Sequence, residues 1–126
     1  MLNISIPIKK LAFVITAKEI DEEVAAALKK ITLLGIPVLN QSVLLKGVND
    51  DVETLKNLSQ ILTDNAIIPY YLHQLDRVDG STHFEVNESK GHELIKSLQE
   101  CLPGYAVPRY VQEISGEKSK TALIPK

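Results

Sequence analysis

The sequence contains few of the residues that support disulfides, metal clusters or membrane spans. It has one cysteine, Cys101, among 126 residues, so it cannot form an internal disulfide or supply several thiolates to zinc or an iron–sulfur cluster. Cys101 itself is interpreted as a small buried residue that closes a helix. No apolar run approaches the roughly 20 residues of a membrane-spanning helix, and the first residues lack the pattern of a signal peptide. The sequence therefore predicts a cytoplasmic protein without a membrane partner.

The net charge and the positions of the histidines and glycines argue against nucleic-acid-binding, metal-binding and dinucleotide-binding proteins. The chain has 14 basic and 16 acidic residues, and its net charge of −2 provides no long-range attraction for nucleic acids. His73, His83 and His92 lack a close ligand spacing such as HxxxH, so no metal site is predicted. The six glycines are scattered, and no GxGxxG follows a strand, which argues against a dinucleotide-binding fold.

Helical and strand patterns alternate along the chain. Apolar residues recur at helical spacing in residues 19–31, 49–65 and 88–102, and apolar β-rich runs occupy residues 36–45, 67–73 and 107–114. Gly35 ends the first helix, Asn49 or Asp50 caps the second, and Asn87 caps the third. Residues 122–125 form either a short strand or a docked segment.

This alternation predicts an α/β fold in which parallel strands are joined by helical crossovers. The length and a hydrophobic content of 44% fit one domain. A flavodoxin-like open sheet and part of a (β/α) barrel are both consistent with the pattern, and periodicity does not distinguish between them.

Polar residues that follow the predicted strands form the candidate site, because ligands of parallel α/β folds bind beyond the carboxyl ends of the strands. Asp76 and Glu113 follow the second and third strands, and Lys120 lies in the last loop. Two carboxylates and a lysine suit recognition of a cationic amine together with imine chemistry at a carbonyl cofactor. The alternative is that all three are solvated surface residues.

Three strings resemble the lysine 2,3-aminomutase family. They are NQSVLLKGVND at 40–50, PYYLHQLD at 69–76 with Gly80 and residues 83–84 after it, and GYAVP at 104–108 followed by Glu113, Gly116 and residues 119–121. The resemblance covers residues 19–125 and corresponds to the carboxy-terminal part of such an enzyme. Residues 70–73 and 116–120 are most similar to the branch that makes β-lysine for modification of elongation factor P.

The resemblance implies an isomerase that interconverts α-lysine and β-lysine by a radical amino shift, with S-adenosylmethionine, a four-iron cluster and pyridoxal phosphate as cofactors. It implies a partial (β/α) barrel with about three to five parallel strands and three helices. By the same resemblance, Lys120 forms the covalent imine with pyridoxal phosphate, and Asp76 and Glu113 bind the distal ammonium group of lysine. Gln41 falls on a position near S-adenosylmethionine.

The sequence departs from the family in its first part. The CxxxCxxC string that holds the family's cluster has no counterpart, so S-adenosylmethionine and the cluster are not expected to bind this chain alone. Residues 1–18 are interpreted as a non-matching leader, and residues 19–126 as the carboxy-terminal half of an aminomutase-type barrel.

Three hypotheses follow from this departure. The chain is an inactive aminomutase fragment from a truncated reading frame, a subunit of a split enzyme completed by another chain, or an independent binding module in which residues 1–15, apolar at 11–15, add an edge strand. The first is favoured, and its open barrel edge predicts self-association.

Overall fold

Helices and strands alternate in the computed structural model, which describes residues 10–13, 17–75, 82–112 and 121–124. The α-helices of this part are α1 (Glu22–Leu33), α2 (Val52–Asp64) and α3 (Glu88–Cys101). The strands are β1 (Lys10–Phe13), β2 (Val38–Leu44), β3 (Ile67–Gln74), β4 (Arg109–Gln112) and β5 (Thr121–Ala122). The three predicted helices and the mixed α/β class are confirmed.

One sheet contains all the described strands in the order β1-β2-β3-β4-β5. The strands from β1 to β4 are parallel to their neighbours, and β5 runs antiparallel to β4. The spatial order follows the sequence without the reversal that defines a doubly wound sheet such as the flavodoxin fold. The described strands therefore form an open and mainly parallel sheet.

Part of the segment interpreted as a leader belongs to this sheet. In β1, Leu11 lies beside Leu39 of β2, and Phe13 lies beside Gln41. The binding-module hypothesis places an edge strand in residues 1–15, and Lys10–Phe13 is an edge strand among the strands that the structure describes.

Local side-chain chemistry sets the ends of α1 and α3. Asp21 caps α1, because its carboxylate accepts a hydrogen bond from the backbone N–H of Val24 at 2.8 Å. Gly35, with φ of 81°, follows the end of this helix in the left-handed region that glycine adopts without steric strain. Asn87 caps α3 as predicted, accepting from the N–H of Ser89 at 3.1 Å.

The cap of α2 differs from the prediction. Asp51, rather than Asn49 or Asp50, accepts the N–H of Thr54 at 2.9 Å and has the extended backbone of a cap residue. The side chains of Asn49 and Asp50 are instead engaged with the loop that precedes the helix. The prediction was wrong by one residue because three adjacent residues can all act as caps.

The apolar core lies between the sheet and the helices. One cluster joins Leu44, Leu72 and Tyr110 of the sheet to Leu55, Leu94 and Leu98 of α2 and α3. A second cluster joins Val38 and Ile67 to Leu58 and Leu62. Burial of each leucine contributes about 1.5–3 kcal/mol, so this packing holds α2 and α3 against one face of the sheet.

Cys101 is exposed, which contradicts its interpretation as a buried residue. Leu98 and Leu102 are buried on either side of it, at a spacing that places both on one side of the chain as α3 ends. Leu102, rather than Cys101, is therefore the buried residue where α3 ends.

Candidate functional site

The string at 40–42 divides between the two faces of β2. Asn40 donates from Nδ2 to Ser42 Oγ at 3.0 Å, and both residues line a small cavity with Ser59 of α2. Successive strand side chains point to opposite faces, so Gln41 lies on the face away from α2. Asn40 and Ser42 therefore pack under the helix, whereas Gln41, which is 6% exposed, lies on the other face.

Gln41 is paired with a histidine of the neighbouring strand. Its Oε1 lies 2.7 Å from His73 Nε2, and because an amide oxygen only accepts, the histidine nitrogen carries the hydrogen and donates it. The ring of Tyr71 is 5.6 Å from that of His73 in an edge-on arrangement. Arg109 of β4 lies beside Tyr71 in register. We call the surface formed by Gln41, Tyr71, His73 and Arg109 the open face.

The buried side chain of Asn49 stabilises the loop between β2 and α2. It has no exposed surface. Its Oδ1 accepts from the N–H of Leu45 at 2.8 Å, and its Nδ2 donates to the carbonyl of Val43 at 2.9 Å. The asparagine of the KGVND string therefore fixes the chain where it leaves the sheet.

Asp50 connects the same loop to α3. It accepts from the N–H of Gly47 at 3.0 Å and forms an ion pair with Lys90 at 3.0 Å. The hydrogen bond from Lys90 is the largest cause that holds the pKa of Asp50 below its usual value, and burial opposes it. Gly47 has φ of 77°, so the turn requires the backbone freedom of glycine at this position.

Hydrogen bonds also join the segment after β2 to the segment after β3, and the end of β3 to β4. The N–H of Lys46 donates to the carbonyl of Phe84 at 2.8 Å. Gln74, at the end of β3, donates from Nε2 to the carbonyl of Val86 at 2.6 Å and accepts at Oε1 from the Tyr110 hydroxyl of β4. We call the chain of contacts from Tyr110 through Gln74 to Val86 the rim relay.

Tyr110 fits into this relay because α3 has a glycine at the point of contact. A Cβ atom on Gly91 would overlap the ring and hydroxyl of Tyr110. The His92 ring packs edge-on against the tyrosine ring at 5.2 Å. Burial, and secondarily the charge of Glu88, raises the pKa of Tyr110 well above its usual value, so the hydroxyl keeps its proton and acts as a donor.

Of the predicted site residues, Gln41 lies in the described part of the chain, on the open face. Asp76, Glu113 and Lys120 lie outside the described residues. Their described neighbours in sequence are Gln74 and Leu75 before Asp76, Gln112 before Glu113 and Thr121 after Lys120. Gln112 and Thr121 are partners across β4 and β5. The structure therefore places the points from which these segments depart, at the carboxyl ends of β3 and β4.

Sequence reasoning missed His73, Gln74 and Tyr110. The spacing of His73 from the other histidines does not indicate a metal ligand. Its position on a strand is the better indication that it takes part in a site. Tyr71 and His73 alternate on one face of an otherwise apolar strand, a pattern typical of a face that meets polar partners. No local signal indicates that Gln74 meets Tyr110, because the two are 36 positions apart in the sequence.

The described residues contain neither a cluster of metal ligands nor a membrane-spanning helix. Within residues 10–13, 17–75, 82–112 and 121–124, no three His, Cys, Asp or Glu side chains are grouped as metal ligands would be. In the same part of the chain, no helix is long and apolar enough to cross a membrane.

The fold and the candidate site define an α/β protein of the kind that binds ligands at the carboxyl ends of parallel strands. No family model matches the chain. It is 46% identical over 107 residues to the L-lysine 2,3-aminomutase of Escherichia coli (strain K12), a match that covers 85% of this chain and 31% of the relative. It is 48% identical over 103 residues to the enzyme of that name from Haemophilus influenzae, covering 82% of the chain and 30% of the relative. It is 41% identical over 110 residues to the L-lysine 2,3-aminomutase of Bacillus subtilis (strain 168), a match that covers 87% of this chain and 23% of the relative.

By this similarity the chain belongs to the lysine 2,3-aminomutase family, and it matches the carboxy-terminal part of these relatives. It spans less than a third of the length of the curated relatives named above.

Proposed function

We propose that the chain supplies the lysine- and pyridoxal-phosphate-binding part of a lysine 2,3-aminomutase, an isomerase that converts α-lysine to β-lysine. The observation that carries this proposal is the 46% identity to a relative of that name over 85% of the chain. The similarity of residues 70–73 and 116–120 supports the finer proposal that the β-lysine serves modification of elongation factor P.

Lys120 is the residue proposed to hold pyridoxal phosphate. When bound, this cofactor supplies a carbonyl that reacts with amines and a ring that accepts electron density. The β4–β5 pairing supports the assignment, because the connection that carries Lys120 starts from Gln112 and returns to Thr121 at neighbouring positions of the sheet. Both described ends of this connection are therefore beside the carboxyl end of β4, where α/β proteins bind ligands.

Asp76 and Glu113 are proposed to bind the distal ammonium group of lysine. Each follows the end of a parallel strand, and β3 and β4 are neighbours in the sheet. Two carboxylates that depart from neighbouring strand ends suit a charge-assisted contact with one ammonium group. The same contact selects lysine over amino acids of similar length without that charge.

The other two family cofactors fit these residues less well. A single cysteine cannot hold a four-iron cluster, so the donor set for the cluster is not provided by these 126 residues. Gln41 is proposed to lie near S-adenosylmethionine, and its amide on the open face supports this, because His73 occupies Oε1 and leaves Nε2 as the donor. Catalysis therefore requires protein outside these residues.

We propose that the open sheet is part of a (β/α) barrel and that the open face turns towards its interior. The sequential order of parallel strands supports this, because a barrel is built in that order. In a split enzyme, another chain would supply the rest of the barrel, and if these residues act alone we propose that they form an inactive fragment that associates with itself. One observation favours an independent binding module instead, since β1 adds an edge strand beside β2.

The cofactor assignment is tested by borohydride reduction in the presence of pyridoxal phosphate, followed by peptide mass spectrometry. We expect the label on Lys120, because reduction traps an imine formed by a lysine amine. The Lys120→Ala variant should lose the label, and the matched variant Lys118→Ala, two residues away, should keep it. Equal labelling of the wild-type chain and the Lys120→Ala variant would contradict the assignment.

A further inference from the structure

The helix α1 is covered less than α2 and α3. No residue of α1 is buried, whereas α2 and α3 each bury leucine side chains. One side of α1, which carries Ala25, Leu28 and Ile31, packs partly buried against the second core cluster. Leu33 and Leu34, where the helix ends, are each 77% exposed. Two adjacent leucines beside an uncovered helix face form an apolar patch that a protein partner can cover.

The exposed side of α1 carries a stripe of residues at the spacing of a coiled-coil seam. The members of this stripe are exposed and lie on successive turns of one side of the helix, and they are Glu23, Ala26, Ala27, Lys30 and Leu33. We call these five residues the α1 stripe. The two alanines at its centre have small side chains, so a second helix can approach closely there.

The two charges of the α1 stripe have no partner within their own helix. Charged side chains on a helix pair with residues three or four positions away. In the sequence, Ala26 and Ala27 occupy those positions between Glu23 and Lys30, and no residue of opposite charge lies three or four positions away on the outer side of either. The helix therefore presents an acid and a base on one face without pairing them to each other.

The α1 stripe is complementary to itself in the antiparallel direction. Glu23 is three residues before Ala26, and Lys30 is three residues after Ala27. When two copies of α1 run antiparallel with their centres at the alanines, Glu23 of each copy therefore lies opposite Lys30 of the other. A two-fold interface requires this self-complementarity, whereas contact with a partner of different sequence does not. We propose that the α1 stripe binds a second copy of this chain, with two ion pairs on either side of the alanines.

The exposed leucines extend the same contact. In the antiparallel arrangement, Leu33 lies beyond Lys30 and meets the residues that precede α1 in the second copy, where the turn at Ala17–Glu19 lies. The 12 residues of α1 span about 18 Å at about 1.5 Å per residue, so the contact is smaller than a standard protein–protein interface. We therefore expect a weak dimer that forms reversibly as the concentration rises.

Charge reversal in the full chain tests this pairing. All chains carry Ile68→Lys, which places a charge on the exposed face of the sheet and suppresses association there, and sedimentation equilibrium gives the dissociation constant. Glu23→Lys or Lys30→Glu places like charges opposite each other twice in each dimer, so we expect the dissociation constant to rise about tenfold. The double variant restores opposite charges and should return the dissociation constant to that of the parent chain.

A matched control separates the contact from an effect on helix stability. Glu53 is the second residue of α2, as Glu23 is of α1, and it is also exposed. Glu53→Lys places the same unfavourable charge at the amino end of a helix dipole and should leave the dissociation constant unchanged. The double variant has unfavourable charges at both ends of α1, so a gain in helix stability cannot explain its restored association. Circular dichroism measures the helix content of each variant.

A second measurement locates the contact directly. In a chain with Cys101→Ser, mild oxidation of Ala26→Cys should link two copies by a disulfide, because residue 26 lies beside the symmetry axis in both. Lys29→Cys, which is exposed on another side of α1, should form much less of the linked dimer.

Four results would overturn the proposal. They are a parent Ile68→Lys chain that stays monomeric at all concentrations, single reversals without effect, a double variant that associates no better than the single ones, and equal linking at residues 26 and 29. A monomeric parent chain would leave the α1 stripe to a partner of different sequence.

Discussion

Asn49 shows that one buried polar side chain can fix the conformation of a loop. Its side chain bonds the backbone where the chain leaves β2, accepting from the N–H of Leu45 and donating to the carbonyl of Val43. In the sequence the same residue reads as a helix cap, because asparagine is common at caps. Burial decides between the two roles, since the Asn49 side chain has no exposed surface and bonds to Val43 at the end of β2 and to Leu45 just after it.

At the residue scale, we predict that Asn49→Ala lowers the free energy of unfolding by about 2–4 kcal/mol. Two partly buried hydrogen bonds are lost, and each leaves a backbone group without this partner, at about 1–2 kcal/mol per group. Urea unfolding followed by circular dichroism measures the change. Asn57→Ala, at an exposed position of α2, is the control and should change stability by less than about 0.5 kcal/mol. Equal effects of the two substitutions would show that the Asn49 bonds do not stabilise the loop.

At the element scale, the helices follow from sequence more directly than the strands do. Each has a capping side chain at its start and an apolar face at helical spacing, and both signals are local. The strands depend more on context. β2 and β3 shift register between Asn40 and Gln41, so that Gln41 pairs with Tyr71 rather than with Tyr70. That shift, which no local pattern reveals, puts Tyr71 and His73 on the open face with Gln41.

At this scale, we predict how the loss of the Asp51 cap of α2 changes stability. Asp51→Ala should lower the free energy of unfolding by about 1 kcal/mol, because the N–H of Thr54 loses its cap and a negative charge leaves the amino end of the helix dipole. Chemical denaturation gives the value. Asp64→Ala is the matched control at the other end of α2, where a negative charge opposes the dipole, and it should not destabilise the protein. If Asp64→Ala destabilised as much as Asp51→Ala, capping would not be the explanation.

At the scale of the whole molecule, one large apolar side chain among the described strand residues, that of Ile68, is exposed on the face of the sheet away from the helices. Ile68 lies beside Leu39 in register and is 44% exposed, whereas its neighbour Ile67 is buried in the core. In the proposed barrel this surface would face other strands. An isolated chain leaves it in water, where a second copy can cover it.

We therefore predict that the purified chain self-associates, with a mass by light scattering that rises with concentration above that of one 14.0 kDa chain. Ile68→Lys should shift the equilibrium towards the monomer, because a buried charge would oppose the contact. Tyr105→Lys, at an exposed position of a turn, should leave the mass unchanged. A wild-type chain that stays monomeric at all concentrations would contradict the prediction and favour an independent binding module.

The sequence alone determined the three helices, the parallel α/β class and the relationship to lysine 2,3-aminomutases, because periodicity, caps and strings of residues are local properties. The proposed roles of Asp76, Glu113 and Lys120 also come from sequence. The tertiary structure decided which of the adjacent residues from Asn49 to Asp51 caps α2 and which face of the sheet Gln41 occupies. It alone revealed the bond from His73 to Gln41 and the relay through Gln74, which join positions 32 and 36 residues apart. Such contacts depend on strand register and helix packing, and neither is encoded in the neighbours of any one residue.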